Sequence, residues 1–213
     1  MSRIIGLLLT LLLASTNGCA LFGKADALDP RYFDPGTAEH SVSRTPPRKD
    51  EPALPAVRLG RVVASEHLKE RLVYRASNEE ISFYEDRRWT EQPESYLRRA
   101  LARALFEDSG LRQVVSGAGP TIEAEMTAFE EVRAPKPFVR VSITVVVHDD
   151  SIARLRHTFT VDKPLDAGVA ADQIVKALGL ALSEVTDEIA KATVTTLARV
   201  EQEDKKAADA SAP

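Results

Sequence analysis

The 213-residue sequence contains a single cysteine, Cys19, so one copy of the chain cannot form an internal disulfide. It also has few histidines, only His40, His67, His148 and His157. They lie far apart in the sequence, and none falls at a spacing typical of metal ligands. We therefore expect no metal site.

The short motifs of common active sites are missing as well. There is no Gly-x-Ser-x-Gly elbow for a serine nucleophile, and Gly117 and Gly119 lack the following Gly-Lys-Ser/Thr that would bind a phosphate. Asp149 and Asp150 are adjacent at a strand end, where their side chains point to opposite sides, so they indicate a turn rather than a carboxylate pair. We predict that the protein is not an enzyme and binds no cofactor; a site assembled from distant residues is the remote alternative.

Basic residues are outnumbered: 28 Lys and Arg stand against 32 Asp and Glu, a net charge of −4. Proteins that bind DNA or RNA usually carry the opposite balance, because they must neutralise phosphates. We therefore predict no nucleic-acid partner.

The extended apolar run at the start of the chain, Ile4–Ala14, has about eleven residues, whereas a helix that spans a membrane needs about twenty. Arg3 precedes the run, and small and polar residues follow it up to Gly18. This order is typical of a secretory signal. We predict that residues 1–18 are a signal peptide that is removed.

Cys19 stands where lipoprotein processing would acylate a thiol and then the new amino terminus. Several acyl chains would anchor the protein stably, where one would be marginal. Ala20 follows, and the lack of an aspartate there resembles lipoproteins sorted to the outer membrane. We predict a lipid anchor at Cys19 in the outer membrane, with the protein facing the periplasm; the alternative is cleavage beyond Cys19, which would leave a soluble secreted protein.

Composition divides the mature chain into three parts. Residues 19–55 contain repeated prolines and no sustained apolar period, which predicts a flexible tether in which Tyr32 and Phe33 could dock on the domain or a partner. Residues 56–200 carry regular apolar periods and are predicted to form one domain. Residues 201–213 are charged, then Ala-rich, and are predicted to be a disordered tail.

Within the domain, alternating apolar residues predict strands and three-to-four spacing predicts helices. The predicted strands are 57–63, 71–75, 81–84, 113–115, 122–128, 138–147 and 153–161. The predicted helices run from Pro93 towards Gly110 and from Val169 to Val200. This order predicts an α/β fold: a single two-layer sandwich with a mixed, mainly antiparallel sheet and two helices on one face.

One stretch resembles a known family. Its residues are the segment Glu66–Arg75 ending in Leu-Val-Tyr-Arg, the aromatic strand Ile81–Tyr84, the pair Arg88-Trp89, and the helix that begins at Pro93. Together with an amino-terminal lipidation cysteine, this order is similar to the ABC-type transport auxiliary lipoproteins, which include the lipoprotein of the paraquat-inducible system.

The resemblance implies a fold similar to the amino-terminal domain of TolB. It also implies an accessory role beside MCE (mammalian cell entry) proteins and an ABC transporter that moves lipid between membranes. An MCE-domain protein would then be the partner, and a homo-oligomer is one option. A second hypothesis keeps the same fold but makes the protein a structural or assembly lipoprotein that binds an outer-membrane barrel or a secretion ring.

Four residues of the resembling stretch are candidates for partner binding: Tyr74, Tyr84, Arg88 and Trp89. For Trp89 the competing interpretation is packing in the core, where a large ring beside the first helix fills space. Arg75 and Arg88 could instead stabilise the fold by pairing with Glu80 or Glu85.

Overall fold

In the described part of the chain, eight strands form one mixed sheet, and two helices pack against it. The computed structural model describes residues 28–36, 56–117, 119–149 and 152–211. The strands are β1 (Arg31–Phe33), β2 (Ala56–Ala64), β3 (Arg71–Arg75), β4 (Ile81–Trp89), β5 (Arg112–Gln113), β6 (Thr121–Val132), β7 (Phe138–His148) and β8 (Ala153–Pro164). The helices are α1 (Pro93–Ala102), which continues as a π-helical turn (Arg103–Asp108), and α2 (Ala171–Ser211). The predicted α/β sandwich is confirmed.

Strand β6 is the centre of the sheet. On one side it pairs antiparallel with β7 along its whole length, and β7 pairs in turn with β8. On the other side, the first half of β6 pairs with β2 and the last residues pair with β3, both parallel. Beyond these strands, β5 pairs with β2 at one edge. Towards the other edge, β4 pairs with β3, and β1 pairs with β4.

The core lies between the sheet and the helices. Alternate residues of β7 are fully buried on this face, as their spacing predicted: Val139, Val141, Ile143, Val145 and Val147. The apolar stripe of α2 meets them and is buried as predicted: Ile174, Leu178, Ala181, Leu182, Val185, Ile189 and Leu197.

Register shifts occur in four strand pairs, and those in β2 and β6 move buried residues away from strict alternation. The register of β2 against β6 changes between Leu59 and Val62, so that Val62 is buried where the alternation predicted Val63. The register of β6 against β7 changes between Met126 and Ala128, so that Phe129 continues the buried row. A bulge inserts one residue and exchanges the two faces beyond it.

The segment predicted as a flexible tether contains an ordered strand, β1. Its three residues pair parallel with the end of β4, and the Thr90 backbone N–H donates to the Phe33 carbonyl at 3.0 Å. Phe33 packs against the core, and Pro35 beyond it is buried. An unpaired strand edge offers such a segment ready hydrogen-bond partners, and the proline count alone does not reveal this.

Helix α2 continues past Val200, the predicted end. Residues 201–211, predicted to be a disordered tail, lie in the helix. This stretch has no glycine or proline, and Lys205 pairs with Glu201 one turn away at 2.7 Å. Residues of high helix propensity and ion pairs four residues apart stabilise a helix even where it does not pack against the core.

Candidate functional site

Trp89 lies in the core and not on the surface. Only 3% of the residue is exposed. Its ring packs against Phe129, with centroids 4.9 Å apart, and edge-on against Tyr96 at 5.9 Å. The structure therefore places Trp89 as a packing residue, and a partner cannot reach it in this arrangement.

Tyr74 and Tyr84 come together, and two arginines join them. The two rings are 5.0 Å apart, the Arg133 guanidinium lies 3.5 Å above the Tyr74 ring, and the Arg87 guanidinium lies 3.8 Å above the Tyr84 ring. Glu131 completes the group, since it accepts from the Tyr84 hydroxyl and lies 3.3 Å from Arg133 Nε. We call these five residues the tyrosine–arginine cluster.

The cluster is held by β3, β4 and β6, and its tyrosines are half-buried. Burial raises the pKa of the Tyr84 hydroxyl above its ordinary value, and the hydrogen bond to Glu131 raises the pKa further. Stacked guanidinium groups stabilise such a cluster by about 0.5–1 kcal/mol each at partly exposed sites. The cluster can present aromatic and cationic surface to a partner, but it holds no paired nucleophile and base.

Arg87, Glu131 and Arg133 were not among the candidate residues predicted from the sequence. The bulge in β6 decides which face Glu131 occupies, and Arg133 follows the strand end. A signal was present: the adjacent carboxylates Glu130 and Glu131 break the alternation of polar and apolar residues in the strand, and buried carboxylates usually have cationic partners.

The arginines that were expected to pair within the hairpin have other partners. Arg75 forms two hydrogen bonds to Glu130, at 2.7 and 3.2 Å, instead of reaching Glu80 or Glu85. Arg88 donates to the backbone carbonyls of Tyr84 and Arg87, both at 3.2 Å. Its backbone lies opposite Arg71 on one side and Tyr32 on the other, so the three side chains share one face.

Cys19, the predicted lipidation site, lies outside the described residues. Among the residues that are described, no helix combines the length and the apolar character needed to cross a membrane.

The same part of the chain holds no group of three or more His, Cys, Asp or Glu residues that could bind a metal ion. His157 is exposed on the edge strand β8. There it packs edge-on against Phe159 at 4.7 Å.

Two surface depressions are lined mainly by polar residues. One, of about 320 Å³, is lined by Glu66, His67, Lys69, Glu70, Arg71, Phe83 and Gln92. The other, of about 450 Å³, has among its lining residues Arg61, Glu66, Glu123, Glu125 and Arg156. Charged side chains line both depressions, next to apolar surface.

The fold and the cluster define a single-domain α/β protein with an aromatic and cationic surface group. The family model of the ABC-type transport auxiliary lipoprotein component matches residues 39–190. The chain belongs to this family.

Comparison with solved structures supports the fold. A Xanthomonas campestris protein of the family DUF330 has 23% identity and a TM-score of 0.60, over 73% of this chain and 93% of that one. An uncharacterized protein has 13% identity and a TM-score of 0.58, over 78% and 99% of the two chains. A hypothetical protein from Chlamydia trachomatis has 12% identity and a TM-score of 0.50, over 68% and 98%. Comparison with curated proteins gives no match.

Proposed function

We propose that this protein is a periplasm-facing lipoprotein, anchored by Cys19 in the outer membrane, that serves as a non-catalytic accessory of an ABC-type system for lipid transport between membranes. Its partner in this proposal is an MCE-domain protein. The observation that carries the proposal is the family match over residues 39–190, which spans β2 to β8, α1 and about the first half of α2.

An adaptor role fits the surface better than a lipid-carrying role. An acyl chain needs a sizeable apolar groove, whereas charged side chains line both of the depressions described above on the described part of the chain. We therefore expect no stoichiometric lipid to co-purify with the domain once its own acyl chains are removed.

The tyrosine–arginine cluster is the proposed partner surface. Tyrosine and arginine are enriched at the centres of protein interfaces because they combine large contact area with hydrogen-bonding tips. The side chain of Arg133 is 40% exposed, so its guanidinium remains open to a carboxylate or a backbone carbonyl of the partner.

The test is capture of the full-length protein from crosslinked envelopes, with the bound proteins and the Cys19 modification both identified by mass spectrometry. Acylated Cys19 together with an MCE-domain protein supports the proposal. Capture of only further copies of the chain, of an outer-membrane barrel or of a secretion ring would overturn it in favour of an assembly role.

Two variants sharpen the same experiment. Arg133→Ser removes the exposed guanidinium and is expected to reduce capture of the MCE-domain protein. Arg112→Ser is the matched control, since Arg112 is an exposed arginine on β5, at the far end of the strand order. Equal capture by the two variants would exclude the cluster as the partner surface.

A further inference from the structure

Exposed apolar and aromatic side chains gather where the amino-terminal segment joins the sheet. Leu28 and Tyr32 are 61% and 65% exposed. Tyr32 lies in register with Arg88, and Arg88 lies in register with Arg71. Phe83, also exposed, lines the same depression as Arg71. We call these five residues the β1-edge surface.

Three residues of this surface, Tyr32, Arg88 and Arg71, lie on the side of the sheet opposite the helices. Cross-strand partners share a face, and neighbouring residues of a strand alternate between faces. Phe33 and Trp89 are partners that point into the core. Tyr32 and Arg88, one residue earlier on each strand, therefore point away from it.

The docking of β1 also sets how far the domain can move from its anchor. Only nine residue steps separate Cys19 from Leu28, which is about 32 Å even at full extension. If β1 were not docked, the free chain would run to Ala56 and could reach about 115 Å at the 3.1 Å per residue of a proline-rich segment. Helix α2 alone, with 41 residues, is about 61 Å long. The docked tether is thus shorter than the domain it holds.

The side chains on this surface suit the boundary between lipid headgroups and acyl chains. Tyrosine is enriched there because its ring is apolar and its hydroxyl is polar. Arginine forms paired hydrogen bonds with phosphate oxygens. Glu66 and Glu70 line the same depression as Lys69 and Arg71, so the local net charge is small. Contact with a membrane would therefore be weak without the anchor.

We propose that the domain rests with its β1-edge surface on the phospholipid headgroups of the membrane that holds Cys19, and that it makes this contact only when anchored. The inference rests on the lipid anchor of the proposed function. It adds an orientation: the β1 edge faces the membrane, and the edge that carries β5 lies at the opposite end of the strand order.

The test is hydroxyl-radical footprinting of the mature chain with Cys19 coupled to a maleimide phospholipid in vesicles of phosphatidylethanolamine and phosphatidylglycerol. The reference is the same chain in solution with Cys19 capped. We expect oxidation of Leu28, Tyr32 and Phe83 to fall severalfold on the vesicles. Val115 and Ile152 are exposed elsewhere and should be oxidised as before. No fall, or an equal fall at all five positions, would overturn the proposal.

A variant tests whether the tether causes the orientation. Gly179→Ala should displace the segment around Pro35 from α2 and lengthen the free tether, because a Cβ at this position would overlap the Pro35 carbonyl oxygen. Protection of Phe83 should then be lost although the anchor remains. The control is Lys176→Ala, an exposed position on the same helix, which should keep the protection. Continued protection of Phe83 in Gly179→Ala would overturn the tether argument.

The coupling chemistry separates this proposal from the proposed function. The vesicle experiment supplies the anchor, so its result does not depend on how the cell modifies Cys19. Unmodified Cys19 in envelopes would overturn the proposed anchor and still leave the orientation measurable.

Discussion

The carbonyl group of Pro35 lies directly against Gly179, in the third turn of α2, where a Cβ would overlap its oxygen and lie 3.1 Å from its carbon. Glycine inside a helix costs about 1 kcal/mol relative to alanine. The close approach explains why glycine is needed here: it lets the amino-terminal segment pack on the helix after pairing with β4.

The first prediction concerns this contact. In Gly179→Ala, β1 should detach because the new Cβ displaces Pro35. The domain should stay folded, because alanine stabilises the helix relative to glycine. Hydrogen exchange checks this: the Thr90 N–H, which donates to the Phe33 carbonyl, should lose most of its protection. Amides in the centre of β7 should keep theirs, and Lys176→Ala should leave both unchanged. Full protection of Thr90 in Gly179→Ala would show that the close approach is not required.

The second prediction concerns the buried carboxylate of Glu130, which is 1% exposed and pairs with Arg75. Arg75→Met should destabilise the fold by about 2 kcal/mol, somewhat less than for a fully buried pair, because Arg75 is partly hydrated. Urea unfolding measures this change. The control is Lys205→Met, which breaks the exposed pair with Glu201 and should cost no more than about 0.5 kcal/mol.

A double variant shows whether the effect belongs to the pair. The double variant Arg75→Met/Glu130→Gln should lose less stability than the two single variants lose together. The reason is that Glu130→Gln removes the buried negative charge that Arg75→Met leaves without a partner. Additive effects would mean that Glu130 is stabilised by other groups, such as Arg140 opposite it in β7.

Much of the fold could be predicted from the sequence because most elements follow one period. The valines of β7 alternate without interruption, and the stripe of α2 repeats every three to four residues, so both were predicted correctly. The bulges in β2 and β6 could not be predicted in this way, because an inserted residue is a property of strand pairing and leaves no local signal. Beyond the bulge in β2, for example, Val62 takes the buried position that strict alternation would give to Val63.

The candidate site was only partly predictable for the same reason. Tyr74 and Tyr84 were identified on neighbouring strands, but their partners lie about fifty residues later in the chain, Glu131 in β6 and Arg133 just after it. Trp89 stood next to Arg88 in a matching motif, yet the two point to opposite faces of β4. The motif alone does not say which of two adjacent residues is buried.

The third prediction separates packing from partner binding at Trp89. Trp89→Ala should destabilise the fold by about 4 kcal/mol, since the contacts with Phe129 and Tyr96 would be replaced by a cavity. Trp89→Phe should cost about 1–2 kcal/mol by the same argument. Far-UV circular dichroism during urea unfolding measures both. Trp89→Phe should also capture the partner as the unmodified protein does; a stable variant that loses capture would show that Trp89 reaches the partner.

The last prediction concerns pH and Tyr84. Burial and the hydrogen bond to Glu131 raise the pKa of Tyr84 in the folded state above its ordinary value of 10.0. Above that pH, the unfolded chain releases this proton more readily than the folded chain does, so the unfolded state binds fewer protons and stability falls as pH rises. Below pH 10 the contribution of Tyr84 to stability should be fully present, and it should be lost as pH approaches the folded-state pKa.

Urea unfolding across this pH range should show a smaller decline in stability for Tyr84→Phe, which has no phenolic proton. Tyr32→Phe, at an exposed tyrosine, is the matched control and should decline as the unmodified protein does. If Tyr84→Phe declines just as steeply, the loss of stability in alkali comes from other groups, and the hydrogen bond to Glu131 does not hold the Tyr84 proton.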